Sequence, residues 1–387
     1  MALDESGGVD VPIIWRGRRA KAFMPTLLAD RPLSVGTETA ARAATAAATL
    51  AFTAAAMPDD FEPLARLLLR AEGVASSFIE GVAAPIAEIV FAETDGRRVA
   101  TPAGWVASNL AAVTAAVGQA HDAPLTTATL CEWQRTVVAG SALPARHVGV
   151  VRDEQGWIGG TSPLDAALVT PPPDHVPQLL DDLIAFANSS EIDPIVQTAV
   201  VHAQFEIIHP FADGNGRVGR VLISWMLSRR LALVTPPPVS IRLAADRGGY
   251  LAGLTLYRLG QHEPWVHWFA DAVVGAGAAQ RDLIAGVERL ARLWRAQLGA
   301  PEEGRAPRAD AVAWKVLELM PRHLVLTAAL LAAELGVTIR AATSALNDLE
   351  RRGILVRYQP PGRRSPGRPS GTFVSPDLLG LAGAQPV

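Results

Sequence analysis

The chain has 387 residues, 49% of them hydrophobic, and a formal net charge of −3 at pH 7. That length predicts two or three domains with packed interiors; the composition excludes wholesale disorder, and the charge excludes a globally basic nucleic-acid binder. A single cysteine, Cys131, excludes an intramolecular disulfide and a cysteine metal cluster, which fits the cytoplasm. The N-terminus lacks a signal pattern, and the alanine-rich stretch 43–57 is too short to span a bilayer, so no membrane partner is expected. Lys21 and Lys315 are the only lysines. No Gly-x-x-x-x-Gly-Lys loop exists, so a nucleotide enzyme made from this chain must hold phosphates with arginines and backbone amides.

In chain order, residues 36–57 read as a helix with Thr37 and Glu38 at its start and Pro58 after its end. Residues 61–80 read as a second, with Leu64, Leu67, Leu68, Val74 and Phe78 on one face and Gly81 as its stop. Gly73 weakens its middle by about 1 kcal/mol relative to alanine. Helices follow at 104–118 and 125–138. His147–Val151 reads as a short strand, Asp153–Gly156 as a turn and Trp157–Gly160 as a second strand, which predicts a small hairpin ended by Pro171–Pro173. Helices resume at 175–187, 195–208 and 216–230, and Asp193-Pro194 supplies a cap followed by proline at the first helical position. Residues 264–298 are largely helical, 299–307 form a linker by composition, and 310–375 read as a separate small domain. The class is mainly α with small β elements.

The chemistry concentrates in His209–Arg220. Gly214-Asn215-Gly216 opens a helix, where glycines turn backbone N–H groups inward and the helix N-terminus adds partial positive charge, so an anion fits there. Arg217 and Arg220 are three apart on that helix, and each can fork onto phosphate oxygens. Asp213 is a hard oxygen ligand suited to Mg²⁺ that bridges phosphates. His209, with an unperturbed pKa near ~6.5, can take a proton at neutral pH. Singly, each has a bland alternative: a structural histidine, a turn, a solvated face. Together they describe a phosphoryl- or nucleotidyl-transfer site that lacks its own nucleophile, so the attacking hydroxyl comes from a substrate. Tyr250 reads either as an adenine contact or as core packing on a helix.

The segment resembles the Fic family signature His-Pro-Phe-x-[Asp/Glu]-Gly-Asn-Gly-Arg-x-x-Arg, with every fixed position present. The resemblance covers most of residues 20–275. Trp157-Ile158-Gly159-Gly160 is similar to the end of the family's flap hairpin, where a target main chain pairs; Gly156 departs from it, since asparagine is expected before the flap tryptophan. The resemblance implies a Fic-type helical core with a small β-hairpin flap. It implies that His209 deprotonates a target hydroxyl, which attacks the α-phosphate of ATP. Asp213 would hold Mg²⁺ or Mn²⁺; Gly214, Asn215 and Gly216 would bind phosphates; Arg217 would grip the phosphate chain and Arg220 the γ-phosphate. AMP would stay on a Tyr, Thr or Ser of an unidentified target protein. Ser76 to Gly81 is similar to the family's inhibitory motif [Ser/Thr]-x-x-x-Glu-[Gly/Asn], with Ser76, Glu80 and Gly81 in place. That implies self-inhibition through a Glu80–Arg220 pair.

Residues 327–335 and 338–351 read as two helices, followed by Gly353–Val356, a basic loop and Thr372–Val374. This resembles a winged helix-turn-helix. Arg340, Arg357, Arg363 and Arg364 are candidate DNA contacts, and docking or a homo-oligomer contact is the other use of such a unit. The expected organisation is an N-terminal helical region over 1–120, a catalytic domain over 121–275, a helical linker over 276–309 and a winged helix over 310–380. The alternative functions are a DNA-binding regulator whose Fic domain senses nucleotide, or an enzyme that uses another nucleotide donor or removes AMP.

Overall fold

The structure, a computed structural model, describes residues 7–29, 35–57, 62–94, 100–301, 307–359 and 371–382. Arg363, Arg364 and the rest of the basic loop lie outside the described residues.

The described chain opens with a hairpin, so the helical region expected over 1–120 is preceded by two strands. β1 (Gly8–Trp15) and β2 (Arg18–Pro25) pair antiparallel, with Trp15 opposite Arg18. Arg16 (φ 46°) and Gly17 (φ 79°) form the left-handed two-residue turn that matches the twist of paired strands. The alternation Val9, Val11, Ile13, Trp15 is the strand signal.

Four helices follow: α1 (Thr37–Ala55), α2 (Glu62–Ile79), α3 (Ile86–Thr94) and α4 (Pro102–Gln119). Gly73 is needed in α2 because α4 passes close by: a Cβ there would press on the Leu110 backbone. Asn109 of α4 donates its amide to Gly73 O at 3.0 Å and to Ser77 Oγ at 3.2 Å, so α2 is pinned to α4 by a buried polar clasp.

α5 (Thr127–Val137) leads to the flap, β3 (Trp157–Ile158) and β4 (Leu168–Val169). The predicted strand at 147–151 is absent. Residues 145–147 form a single 3₁₀ turn, and β3 pairs instead with downstream β4, Trp157 opposite Val169. The Arg152 N–H is committed elsewhere, donating to Pro210 O at 2.9 Å on the loop between α7 and α8. Gly156 has its own reason: a side chain there would strike Thr170 Oγ1, so asparagine has no room.

α6 (Val176–Asn188), α7 (Pro194–Ile208) and α8 (Asn215–Leu231) form the centre, with α9 (Val239–Ala245), α10 (Arg247–Arg258) and α11 (His262–Gly299) around it. Asp193 accepts from the N–H groups of Ile195 and Val196 and caps α7, as its sequence predicts. Residues 195–208 of α7 are all buried. One core joins α1, α4, α5 to α8, α10 and the first half of α11.

The C-terminal unit comprises α12 (Val312–Leu319), β5 (Val325–Thr327), α13 (Ala328–Leu335), α14 (Ile339–Arg351), β6 (Val356–Arg357), β7 (Thr372–Val374) and α15 (Pro376–Ala382), with strand order β5-β7-β6. Its core continues into Leu64 and Leu67 of α2, Val90 of α3, and Ile284, Leu290 and Trp294 of α11. α11 runs unbroken from the central bundle into this second core. Among the described residues, no single helix is long and apolar enough to cross a membrane.

Candidate active site

The catalytic loop is a tight turn between α7 and α8. His209 caps α7 in the left-handed region at φ 50° and ψ 60°, and Gly214 opens α8 at φ 86°. Two residues hold the turn from within and without. Asn215, 2% exposed, accepts from Phe211 N at 2.9 Å and donates to Phe211 O at 2.8 Å. Its side chain is thus committed to the loop, and its backbone N–H is what it can offer an anion. Gln134 of α5 donates to Asp213 O at 3.1 Å and accepts from Gly149 N at 2.5 Å.

Arg152 braces the backbone at His209. It is 5% exposed and donates to His209 O at 2.8 Å, Ile208 O at 3.2 Å, Pro171 O at 2.7 Å and Glu154 O at 2.9 Å. One planar guanidinium thereby satisfies carbonyls that the end of α7 leaves without helical partners. Its burial lowers its pKa to about 10, so it stays charged at neutral pH. Nothing in the local sequence marks Arg152, because its partners are backbone atoms distant in the chain.

The His209 ring is half-buried, and its Nδ1 lies 3.3 Å from Glu206 O. A carbonyl only accepts, so Nδ1 carries the proton and Nε2 is the basic nitrogen. Desolvation pushes the His209 pKa down to about 4; the Glu206 carbonyl contact opposes this and the charge of Arg152 adds to it. The ring is therefore neutral at pH 7, as a base must be.

Arg220, 1% exposed, points back toward α2. Its Nε donates to Ser76 Oγ at 2.9 Å, and its Nη2 donates to Ser76 O at 3.0 Å and Glu80 Oε1 at 2.7 Å. The Glu80 carboxylate is 41% exposed and lies against Gly216, where a Cβ would displace it. It thus occupies the mouth of the anion cradle at the start of α8. Desolvation raises the Glu80 pKa, but the attraction and hydrogen bond of Arg220 outweigh that, and its net pKa lies below the ordinary carboxylate value. Gly81 takes φ 76° just after α2 and turns the chain away, a conformation that favours glycine. Arg217 donates to Val137 O at 3.2 Å, and Asp213 is exposed with its carboxylate accepting from Gly214 N at 2.7 Å.

Two buried carboxyls that sequence reasoning missed lie near Arg220. Glu72 accepts from Ser240 N at 2.8 Å and from Ser240 Oγ, and burial raises its pKa to about 7. Glu206 is raised to about 7 by burial against the opposing pull of Arg220. A lone acid among Ala203, Phe205, Ile207 and Ile208 is a legible signal of such a buried group. Tyr250 is 3% exposed, in the core beside His202, with its hydroxyl 2.8 Å from His202 Nε2. It is a core residue, not an adenine platform.

Trp157, Ile158, Gly159 and Gly160 form the flap end, with Gly159 and Gly160 at φ 70° and 69°. Of the candidate DNA contacts, Arg340 is exposed on α14, whereas Arg357 donates to Glu350 at 2.9 Å and Asn347 at 2.9 Å and lies over Phe373.

Residues 124–227 match the Fic/DOC family. Over 136 residues the chain is 32% identical to protein adenylyltransferase fic-1 of Caenorhabditis elegans, a stretch that covers 34% of this chain and 24% of that protein. Over 58 residues it is 45% identical to a probable protein adenylyltransferase of Aquifex aeolicus, covering 15% and 18%. The chain thus spans a quarter or less of the length of these curated relatives. Its fold is similar to the crystal structure of a Fic family protein from Desulfovibrio desulfuricans G20, with a TM-score of 0.53, 21% identity, and coverage of 89% of this chain and 97% of that one. The family match runs from just before α5 to within α8 and takes in the loop from His209 to Arg220.

Proposed function

We propose that the chain is a protein adenylyltransferase that inhibits itself through Glu80. The observation that carries the chemistry is His209, with its Nδ1 turned to Glu206 O, on the loop that leads into the N-terminus of α8. The names of the two curated relatives support the same reading. The target hydroxyl gives its proton to His209 Nε2 while its oxygen attacks the α-phosphate of ATP. The bond from that phosphorus to the bridging oxygen breaks, pyrophosphate leaves, and AMP remains esterified to the target. The amides of Gly214, Asn215 and Gly216 hold phosphate oxygens, and Arg217 and Arg220 neutralise charge that spreads along the chain.

The residues present fit Mg²⁺ or Mn²⁺. Asp213 is one exposed hard carboxylate beside the cradle, which suits an ion that completes its shell with nucleotide phosphates and water. Among the described residues, no group of three or more His, Cys, Asp or Glu is placed to hold a metal ion. The ion would supply charge neutralisation on the phosphates.

Inhibition follows from competition for one guanidinium. While Glu80 and Ser76 hold Arg220, the γ-phosphate cannot. A partly exposed pair of this kind biases such an equilibrium by roughly 1–3 kcal/mol, about 5- to 150-fold.

The reaction is tested with Glu80→Gly protein and Mg²⁺, supplied with ATP labelled at either the α- or the γ-phosphate. AMP transfer predicts protein label from the α position alone. Label from γ signals phosphorylation, and label from neither signals a nucleotide sensor.

We also propose that α12 to β7 form a winged helix, on the order β5-β7-β6 beside the α13–α14 pair. If Arg340 meets DNA phosphates, Arg340→Glu weakens binding to random duplex at low salt. Undetectable wild-type binding there leaves docking as the unit's role.

A further inference from the structure

The flap and the N-terminal hairpin lie together. Trp15, at the end of β1, packs edge-on to Trp157 of the flap with ring centroids 5.4 Å apart. β2 runs beside β4 without sharing its ladder, and a groove of about 330 Å³ remains between them. Arg19, Lys21 and Phe23 form one wall, Leu164 and Leu168 the other, and Arg258 closes one side with its Nη1 donating to Ala167 O at 3.1 Å.

The charge of the hairpin itself is one-sided. The hairpin 8–25 carries Arg16, Arg18, Arg19 and Lys21 against a single acid, Asp10. Lys21 meets Asp10 at 3.7 Å with both side chains largely exposed. Arg18 and Arg19 are exposed and have no carboxylate partner among the described residues. Arg16 lies over the Trp15 ring at 5.3 Å. The register places Arg18 directly across from Trp15, which touches the flap, so the cations begin where the flap ends. The far edge of β3 has no strand partner among the described residues, and Ile158 on it is 36% exposed. Arg19, Lys21 and Arg258 line the groove against one carboxylate, Asp10, and such an excess of cations attracts carboxylates and repels basic segments, an effect that weakens with salt.

We propose that the hairpin and the flap form one docking surface, and that it selects target hydroxyls flanked by acidic residues. This rests on the reading of the chain as a protein adenylyltransferase. A peptide is favoured over nucleic acid because the surface is continuous with a strand edge, which pairs main chains, and because its groove is narrow and has apolar walls.

The test uses a random copolymer of Glu and Tyr, with a copolymer of Lys and Tyr as its opposite. Binding of the fluorescent polymers at low salt is measured by anisotropy for wild type, Arg18→Glu/Arg19→Glu and Arg363→Glu/Arg364→Glu. AMP labelling of the same polymers is measured with each change placed in Glu80→Gly protein. The acidic copolymer is expected to bind and the basic one not. The hairpin variant is expected to lose binding at least ten-fold, while the Arg363/Arg364 variant stays within two-fold. Equal binding of both polymers, or unchanged binding by the hairpin variant, overturns the proposal. So does a random DNA duplex that outcompetes the copolymer and is lost in the same hairpin variant. The binding measurement needs no AMP transfer, so it stands apart from the catalytic reading; self-labelling by the hairpin variant reports on catalysis alone.

Discussion

At the scale of single residues, His209 is set by its surroundings more than by its own chemistry. A free imidazole would be partly protonated near neutrality. Here burial lowers the pKa to about 4, and the Glu206 carbonyl fixes which nitrogen is basic. The sign follows directly: the ring is neutral above that pKa and protonated, hence inactive, below it. The rate of AMP transfer by Glu80→Gly protein is therefore expected to be flat between pH 6 and 8, with its acid limb well below 6.5. A limb centred near 6.5 in the pH profile would place the ring in a solvated setting. The motif His209 to Arg220 was legible from sequence because glycines, arginines and one acid at fixed offsets have few joint explanations. The division of labour within it was not. Asn215 reads as a phosphate ligand until both side-chain atoms are found on Phe211, and Arg152 is invisible because backbone carbonyls leave no pattern in a sequence.

At the scale of elements, two connections decide the site. The first is the segment 147–152, whose apolar residues suggest a strand but whose Arg152 ties it to the end of α7. Pairing was misassigned because two-residue ladders give almost no periodicity, and the competing bonds come from a loop that is distant in sequence. Arg152→Met is expected to leave buried carbonyls unpaired and to lower stability by roughly 3–5 kcal/mol, read as a lower midpoint in urea. It also removes a charge that depresses the His209 pKa, so the acid limb of any remaining activity is expected to move upward. A purely structural role would lower the midpoint without moving the limb. The second connection is α2 on α4. Gly73 looks like a flaw in a helix, yet it permits the close approach through which Asn109 holds Gly73 and Ser77. That clasp lies within a turn of Ser76 and Glu80, which hold Arg220.

At the scale of the molecule, the boundaries drawn from composition divide what packing joins. Gly299 to Pro307 reads as a linker, and α11 does end there. The core beyond it nevertheless includes Leu64 and Leu67 from α2, the helix that leads into Glu80, together with Trp294 of α11. Shared cores of this kind are formed by residues far apart in sequence, and hydrophobic periodicity does not say which partner a face will meet. Under the proposed inhibition, a change in that shared core is expected to reach α2. Trp294→Ala is expected to cost about 3–5 kcal/mol in that core. It is also expected to raise AMP transfer in otherwise wild-type protein but not in the Glu80→Gly background, as measured by α-labelled ATP. An equal effect in both backgrounds would mean that the second core does not act through α2.

The central claim is that Glu80 holds the arginine that ATP needs. Its most direct test compares wild type, Glu80→Gly and Glu80→Gly/His209→Ala, each shown to be folded, for incorporation of α-labelled ATP into protein in the presence of Mg²⁺. The account predicts label in Glu80→Gly at least ~10-fold above wild type, within the coupling range of such pairs, and none in the double variant. Equal labelling of wild type and Glu80→Gly would contradict the inhibitory role of the Glu80–Arg220 pair, and label that survives His209→Ala would contradict the assignment of the base.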